Sequence, residues 1–222
     1  MKSVNNVFLV LSLIILHVNV INAQYEREDK EYLINIFSGL SIPMGDFGTS
    51  KQEKEAGYAL VGFSAGFGFI HTVQQNFNWI VDFYMSFNTY NEEVLQVQIG
   101  NFVNVDAGTY VKSWILTGVR GGADIAQSVK LFGFAEVGLL FSSVPDITYS
   151  TSDESIEQTT NMGIAPALGL GAGISINTFS ISIRYLSGKA EHEQTTKIGN
   201  STSTTDLKLP VAILQLILAI NL

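Results

Sequence analysis

Apolar side chains recur at every second residue through most of this chain, and this period limits its fold more than any other feature. A period of two indicates β-strands and argues against amphipathic helices. The clearest segment opposes a row of glycine, alanine and serine to an apolar row, which consists of Ile164, Pro166, Leu168, Leu170, Ala172, Ile174 and Ile176. A two-residue turn at Asn177-Thr178 keeps Ile176 and Phe179 on one face. We therefore predict a hairpin with one apolar face and one small-residue face.

The same period predicts eight strands, at residues 32–42, 61–70, 77–89, 115–124, 131–142, 164–176, 179–185 and 207–222. The connections alternate in length. Three are short, at 71–76, 126–128 and 177–178, and four are long and polar, at 43–57, 91–112, 145–162 and 187–206. Short turns at one end and long loops at the other are typical of outer-membrane barrels. The predicted fold class is all-β, an eight-stranded antiparallel up-and-down transmembrane β-barrel.

The first residues have the pattern of an export signal. Lys2 supplies a positive charge, Val7–Leu16 is an apolar run, and Ala23 is a small residue at a suitable cleavage position. Later segments lack the roughly twenty uninterrupted apolar residues that a membrane-spanning helix needs. We predict a signal peptide at residues 1–23 and a single barrel domain at residues 24–222.

The composition restricts the environment and the partners. Only 14% of residues are charged while 46% are apolar, which is little charge for a surface covered by water. The net charge of −8 argues against nucleic acid as a partner. Cysteine is absent, so disulfides and thiolate chemistry are excluded.

The charges within the predicted strands orient the barrel. An eight-stranded barrel has an interior just wide enough for side chains to fill. Arginine on the lipid face at mid-depth costs about 2–4 kcal/mol, so the charged face is expected to point inward. The predicted interior charge network is Asp82, Arg120, Asp124, Glu136 and Arg184, which we interpret as a salt-bridge plug, with a gate or proton path as the alternative. The predicted lipid-facing residues include Phe67, Trp79, Phe83, Phe87, Ile181 and Tyr185.

In its pattern of strands and loops, the whole chain after residue 23 resembles the small outer-membrane β-barrel domain family of Gram-negative bacteria, the eight-stranded barrels of the OmpA and OmpX type. Residues 39–48 (GLSIPMGDFG) are similar to the first strand and outer loop of many members. Residues 214–222 alternate like the C-terminal signal read by the barrel assembly machinery. The resemblance implies an outer-membrane location after export through the inner membrane, assembly by that machinery and contact with outer-membrane lipid. The family includes structural barrels, adhesins, channels and a few enzymes, so fold alone does not select a function.

Few residues suggest catalysis or metal binding. After the predicted signal only His71 and His192 remain as histidines, and no metal site or cofactor is predicted. A lipid deacylase would need a histidine, a serine and an acid within hydrogen-bond reach. His192 falls in the last predicted loop, so we expect no enzyme. The alternation in Val94–Val105 predicts a hairpin above the membrane that offers a strand edge to a partner.

The function expected from the sequence is that of a monomeric, non-enzymatic outer-membrane barrel with a plugged lumen. Its role would be structural or would lie in surface contact through the long loops. One alternative is a narrow channel for small or apolar molecules, based on the space that the small residues at 163–173 could leave. Another is a soluble secreted β-barrel that binds a ligand.

Overall fold

A computed structural model describes residues 32–51, 56–99, 103–151 and 154–222. The predicted signal peptide lies outside the described residues. Within them, no helix is both long and apolar enough to cross a membrane. The elements, in chain order, are β1 (Tyr32–Met44), a 3₁₀ turn (Gly45–Phe47), β2 (Gly62–Gln74), β3 (Phe77–Thr89), α1 (Glu92–Ile99), β4 (Asn104–Ala107), β5 (Thr109–Ala126), β6 (Val129–Ser143), β7 (Ile147–Ser150), β8 (Ser155–Thr160), β9 (Gly163–Ile176), β10 (Phe179–Ile198) and β11 (Ser201–Asn221).

Eight of the described strands form a closed antiparallel ring, in the order β1, β2, β3, β5, β6, β9, β10 and β11. The last strand pairs with both neighbours, so that Ala219 lies opposite Phe37 on one side and Ser180 on the other. Closure leaves no free edge around the wall of the barrel. The eight-stranded barrel predicted from the sequence is confirmed.

One end of the barrel, here called the short-turn end, carries three two-residue connections, at residues 75–76, 127–128 and 177–178. Asn76 and Asn177 have φ values of 68° and 54°, a left-handed conformation that asparagine tolerates better than most residues. These turns agree with the short connections predicted from the sequence.

The opposite end, here called the loop end, differs from the prediction in two places. Residues 187–206 are not a loop, because β10 and β11 continue as a paired hairpin to a two-residue turn at Gly199-Asn200. The hairpin predicted at Val94–Val105 is not formed by its described residues: residues 94–99 belong to helix α1 and residues 104–105 to β4, while residues 100–102 lie outside the described residues. Strands β8, β7 and β4 extend the sheet outward from β10, and with the β10–β11 hairpin they form the protruding sheet.

The two faces of the ring divide as the alternation predicts. Outward-facing apolar residues form an outer apolar belt, which on β10 runs from Phe179 to Tyr185 and is followed by the exposed charged residues Lys189 and Glu191. Five of the six residues predicted to face lipid are exposed on this surface: Phe67, Trp79, Phe87, Ile181 and Tyr185. Phe83 lies on the same face and is half-buried.

The interior is packed in layers. Toward the loop end it contains an apolar layer capped by Phe47 of the 3₁₀ turn; its fully buried members include Trp114, Leu116, Leu140, Leu186 and Ile213. Toward the short-turn end a smaller cluster contains Ile70, Ile80, Phe132 and Phe134. Asp82, Glu136 and Arg184 lie between these two apolar clusters along their strands.

Candidate functional site

Arg184 of β10 is the centre of the buried charge network. Its guanidinium donates a hydrogen bond to Asp82 Oδ2 at 2.5 Å, and its Nε lies 3.6 Å from Glu136 Oε2. The three side chains are between 0% and 5% exposed. A buried ion is tolerated only when it is paired, and Arg184 pairs with a carboxylate from each of two other strands. The network therefore ties β3, β6 and β10 together across the interior.

Aromatic rings surround the same guanidinium. Its central carbon lies 4.8 Å from the ring centre of Phe134, 4.9 Å from that of Tyr84 and 5.3 Å from that of Phe37. These distances are within the range of cation–π attraction. The rings come from β1, β3 and β6, so two of the three share a strand with one of the carboxylates.

The glycine face of β9 provides the space for this network. A Cβ atom on Gly171 would collide with the ring of Phe134, and one on Gly169 would lie 2.9 Å from Glu136 Oε2. The small residues of β9 thus leave room for the large side chains of the neighbouring strand β6. The interior space that this row was expected to leave for a channel is occupied.

Two of the five predicted network residues lie outside the ion-paired group. Arg120 makes no ion pair with the described residues and stacks its guanidinium 3.7 Å from the ring centre of Phe132. Asp124 is exposed near the short-turn end, opposite Lys130 on β6. The prediction that Asp124 belongs to a buried network is wrong, because strand alternation specifies which face a residue occupies and not its depth.

A small cavity of about 20 Å³ adjoins the network on its short-turn side. Arg120, Arg184 and Asp82 contribute to its wall, together with the hydroxyl-bearing Ser180 and Ser182. This volume suffices for about one water molecule. It is far below the volume of a cavity that holds an organic ligand.

A second polar group, which the sequence did not predict, lies inside the barrel near the loop end. Lys112 is fully buried and donates hydrogen bonds at 2.9 Å to Ser142 Oγ and to the carbonyl of Ser143. His192 Nε2 lies 3.2 Å from Ser142 Oγ, and its Nδ1 lies 2.9 Å from the carbonyl oxygen of Asn161. Only a protonated Nδ1 can donate to a carbonyl, so Nε2 is the acceptor and Ser142 the donor.

The Ser142 and His192 side chains have the separation of a nucleophile and its base, yet the group lacks other features of a catalytic site. The group that orients the His192 ring is the backbone carbonyl of Asn161 rather than a carboxylate. Ser142 is fully buried and His192 is 4% exposed.

His192 is part of β10 and not of a loop as predicted. Burial lowers its pKa, as does the charge of Lys112, while the hydrogen bond to Asn161 acts in the opposite direction. The described residues contain no cluster of three or more side chains suited to hold a metal ion.

The protruding sheet contains an open strand edge. β1 pairs with β11 only from Ala212 onward, so among the described residues 201–211 of β11 are paired on the β10 side alone. Leu209 and Val211 are buried at the base of this segment, where the 3₁₀ turn packs against β11. Residues 201–206 are exposed and present the sequence STSTTD. This open edge of β11 replaces the edge that was predicted at Val94–Val105.

The other end of the protruding sheet is partly covered. The backbone N–H of Ala107 in β4 donates to the carboxylate of Glu92 at 2.8 Å. Helix α1 also packs against this strand. The open edge of β11 is therefore the better exposed of the two.

No family model and no curated protein matches this chain. Among solved structures, it is similar to Neisserial surface protein A (NspA), with 10% identity, a TM-score of 0.44, and coverage of 86% of this chain and 97% of the other. For outer membrane protein AlkL in DMPC lipid bilayers the identity is 14%, the TM-score 0.47 and the coverage 90% and 96%. For Ail, the attachment invasion locus protein of Yersinia pestis, the identity is 14%, the TM-score is 0.44, and the coverage is 87% of this chain and 100% of the other.

Proposed function

We propose that the protein is a non-enzymatic barrel inserted in the bacterial outer membrane, with a filled lumen and a protein-binding edge on its protruding sheet. The observation that supports insertion is the division of the ring: its outer face is a continuous belt of exposed large apolar residues, while the charged residues Asp82, Glu136 and Arg184 are buried inside. A soluble barrel would need the opposite arrangement, since its outer surface meets water. Export by the segment at residues 1–23 and assembly by the barrel assembly machinery are parts of this proposal.

Fluorescence quenching tests the insertion. Trp79 is 49% exposed on the outer face, whereas Trp114 is 1% exposed inside. In vesicles, a lipid-soluble quencher is expected to dim a variant that retains only Trp79 much more than one that retains only Trp114. Equal dimming of the two single-tryptophan variants, or recovery of the protein in the soluble fraction without detergent, would contradict insertion.

The packing of the apolar layer supports a filled lumen. Trp114, Leu140 and Leu186 reach the interior from three different strands, and Phe47 covers them at the loop end. A channel would require several of these side chains to move, at a cost in buried hydrocarbon of about 1.5–3 kcal/mol each. We expect no conductance steps in planar bilayers, and steps that persist in highly purified protein would contradict this part of the proposal.

The protein-binding role is supported by the open edge of β11. Alternate residues of 201–206 point their backbone donors and acceptors away from β10, over a length of about 20 Å at the usual rise per residue. Such an edge can accept an extended segment of another protein as an additional strand. Unpaired edges promote unwanted association, and within the exposed residues 201–206 only Asp206 carries a charge that guards against it.

Proline substitutions at adjacent positions test this role. Neighbouring residues of a strand point their N–H groups in opposite directions, so of Ser203→Pro and Thr204→Pro one removes a bond to β10 and the other removes a free donor. We expect the variant that lacks the free donor to remain folded and to lose adhesion of cells displaying the protein to protein-coated surfaces. Thr195→Ala, which lies opposite Thr204 on β10, is the matched control. Unchanged adhesion in both proline variants would contradict edge binding.

A further inference from the structure

The ladder on one side of β10 is interrupted where the protruding sheet leaves the wall of the barrel. The pairing of β10 with β9 ends at Gly188 and Ala167, and its pairing with β8 begins at Gln194 and Thr160. Among the described residues, 189–193 of β10 therefore have no ladder partner on this side, while the ladder with β11 continues without interruption. The gap is the place where the protruding sheet can move relative to the wall.

The imidazole of His192 bridges this gap. Its Nδ1 donates to the carbonyl oxygen of Asn161, in the connection between β8 and β9, and the backbone N–H of Asn161 donates to the carbonyl oxygen of Glu193 at 3.0 Å. On the inner side, its Nε2 accepts a hydrogen bond from Ser142 of β6, whose oxygen also accepts one from Lys112 of β5. One ring thus fastens β10 both to the wall of the barrel and to the base of β8.

The ring is enclosed by protein. A Cβ atom on Gly163 of β9 would lie 2.8 Å from Cε1 of His192 and 2.9 Å from its Nδ1, so glycine at this position leaves the room that the ring occupies. The ring is also almost fully buried. A positive charge on His192 would therefore have to be balanced by protein groups rather than by water.

The surroundings of His192 do not balance such a charge. Among the described residues, the charge that acts on the ring is that of Lys112, which is a second cation beside the same Ser142 oxygen. Glu191 and Glu193, its neighbours in β10, are exposed on the opposite face, and the residue opposite it on β11 is Leu207. In addition, the Ser142 hydroxyl can donate to a neutral Nε2 but not to a protonated one. Protonation of His192 therefore removes one bond and adds a repulsion.

From this arrangement we propose that His192 is an acid-sensitive latch, whose neutral ring fastens the protruding sheet to the barrel wall and whose protonation releases it at residues 189–193. Burial lowers the pKa of the ring below its usual value of about 6.5. The released state therefore binds the proton first, and its population rises as the pH falls below that value, by up to about tenfold per pH unit.

The latch stands at the base of the sheet that carries the open edge of β11, so acid would change how this edge is presented. That consequence rests on the proposed protein-binding role. The latch itself depends neither on that role nor on membrane insertion, and it can be tested on the protein in detergent without any measurement of adhesion. Failure of the latch and failure of the edge-binding proposal can therefore be distinguished.

Amide hydrogen exchange of the detergent-solubilised protein between pH 5 and pH 7.5, divided by the intrinsic exchange rate at each pH, tests the latch. We expect the protection of residues 188–198 to fall by up to about tenfold for each pH unit below about pH 6.5, while β3 keeps its protection. His192→Gln retains a donor and an acceptor but takes no charge, so its protection should not depend on pH. His71→Gln, which replaces the other described histidine, is the matched control and should behave like the wild type.

Equal protection of residues 188–198 at pH 5 and pH 7.5 in the wild type would overturn the proposal. A pH dependence that persists in His192→Gln would overturn it as well, as would an equal loss of protection in β3, which marks loosening of the whole barrel. If His192→Gln does not fold, nitrogen NMR of the wild-type ring decides. The proton should lie on Nδ1 at pH 7.5 and the ring should titrate together with the loss of protection, and titration of the ring without that loss would refute the latch.

Discussion

Replacement of Arg184 by methionine is the most direct perturbation of the buried charge network. The substitution keeps an unbranched side chain but removes the cation, and it leaves two carboxylates, Asp82 and Glu136, in an interior where they are at most 4% exposed. Loss of one partner from a buried pair costs about 3–5 kcal/mol. Because two carboxylates lose their partner and three rings lose their cation, we expect the upper part of this range.

The assay is urea-induced unfolding in lipid vesicles, followed by tryptophan fluorescence. Lys208→Met is the matched control, because it removes the cation of an ion pair whose side chains are 56% and 70% exposed, and it should unfold like the wild type. A triple variant, Arg184→Met with Asp82→Asn and Glu136→Gln, should recover much of the loss, since it leaves no unpaired ion.

If Arg184→Met unfolds like the control variant, the argument that the network holds the barrel together is refuted. If the triple variant is no more stable than Arg184→Met alone, the loss comes from packing around the guanidinium and not from unpaired charge. The two comparisons together separate the electrostatic contribution from the steric one.

Three further predictions concern single positions. Gly171→Val should cost about 1–3 kcal/mol through overpacking against Phe134, whereas Gly133→Val, whose Cβ would meet its nearest atom at 3.6 Å, should be tolerated in the same urea assay. Phe47→Ala should cost about 3–5 kcal/mol and make the outer end of the lumen more accessible to water-soluble quenchers of Trp114. Burial lowers the pKa of His192 in the folded protein. As the pH falls, the unfolded chain therefore binds a proton at this residue before the folded protein does. The contribution to stability should be complete above about pH 6.5 and should fall as the pH drops below it. His192→Gln should flatten this dependence in unfolding curves measured between pH 5 and pH 8, and an unchanged slope would contradict the assignment.

The ring could be predicted from the sequence because each of its strands has one face against side chains and the other against an apolar medium. Because successive residues of a strand point to opposite faces, this asymmetry produces an alternation of residue types with a period of two, as at Ile164–Ile176. Beyond the outer apolar belt the asymmetry ends. The hairpin at residues 187–206 meets water on much of both faces and carries serine, threonine and charged residues, so its pairing left no periodic signal and it was predicted as a loop.

Helix α1 had a signal that the alternation in Val94–Val105 obscured. Asn91 precedes two acids, Glu92 and Glu93, which is the usual start of a helix. In the structure the side-chain oxygen of Asn91 accepts a hydrogen bond from the backbone N–H of Val94 at 3.3 Å. Weighing this cap against a short apolar alternation would have favoured the helix.

The polar cluster at Lys112 was missed for a different reason. Lys112 shares the inward parity of Trp114 and Arg120, but it fell inside a connection predicted to span residues 91–112. An error of a few residues in a strand boundary thus moved a buried cation into a loop. Its partner Ser142 lies opposite it on the next strand, β6, while His192 comes from β10, so only the closed ring brings the three side chains together.

The small-residue row of β9 shows how far one strand can be interpreted by itself. Considered alone, glycines and alanines at 163–173 imply empty space, which is the basis of the channel hypothesis. The register pairs Gly169, Gly171 and Gly173 with Glu136, Phe134 and Phe132 of β6. Large side chains on one strand occupy the volume that small residues on the neighbouring strand leave. Whether the interior of a barrel holds empty space therefore depends on both strands of a pair. A row of glycines therefore indicates a channel only where the residues opposite it on the neighbouring strands are small as well, and the residues opposite it on β6 are large.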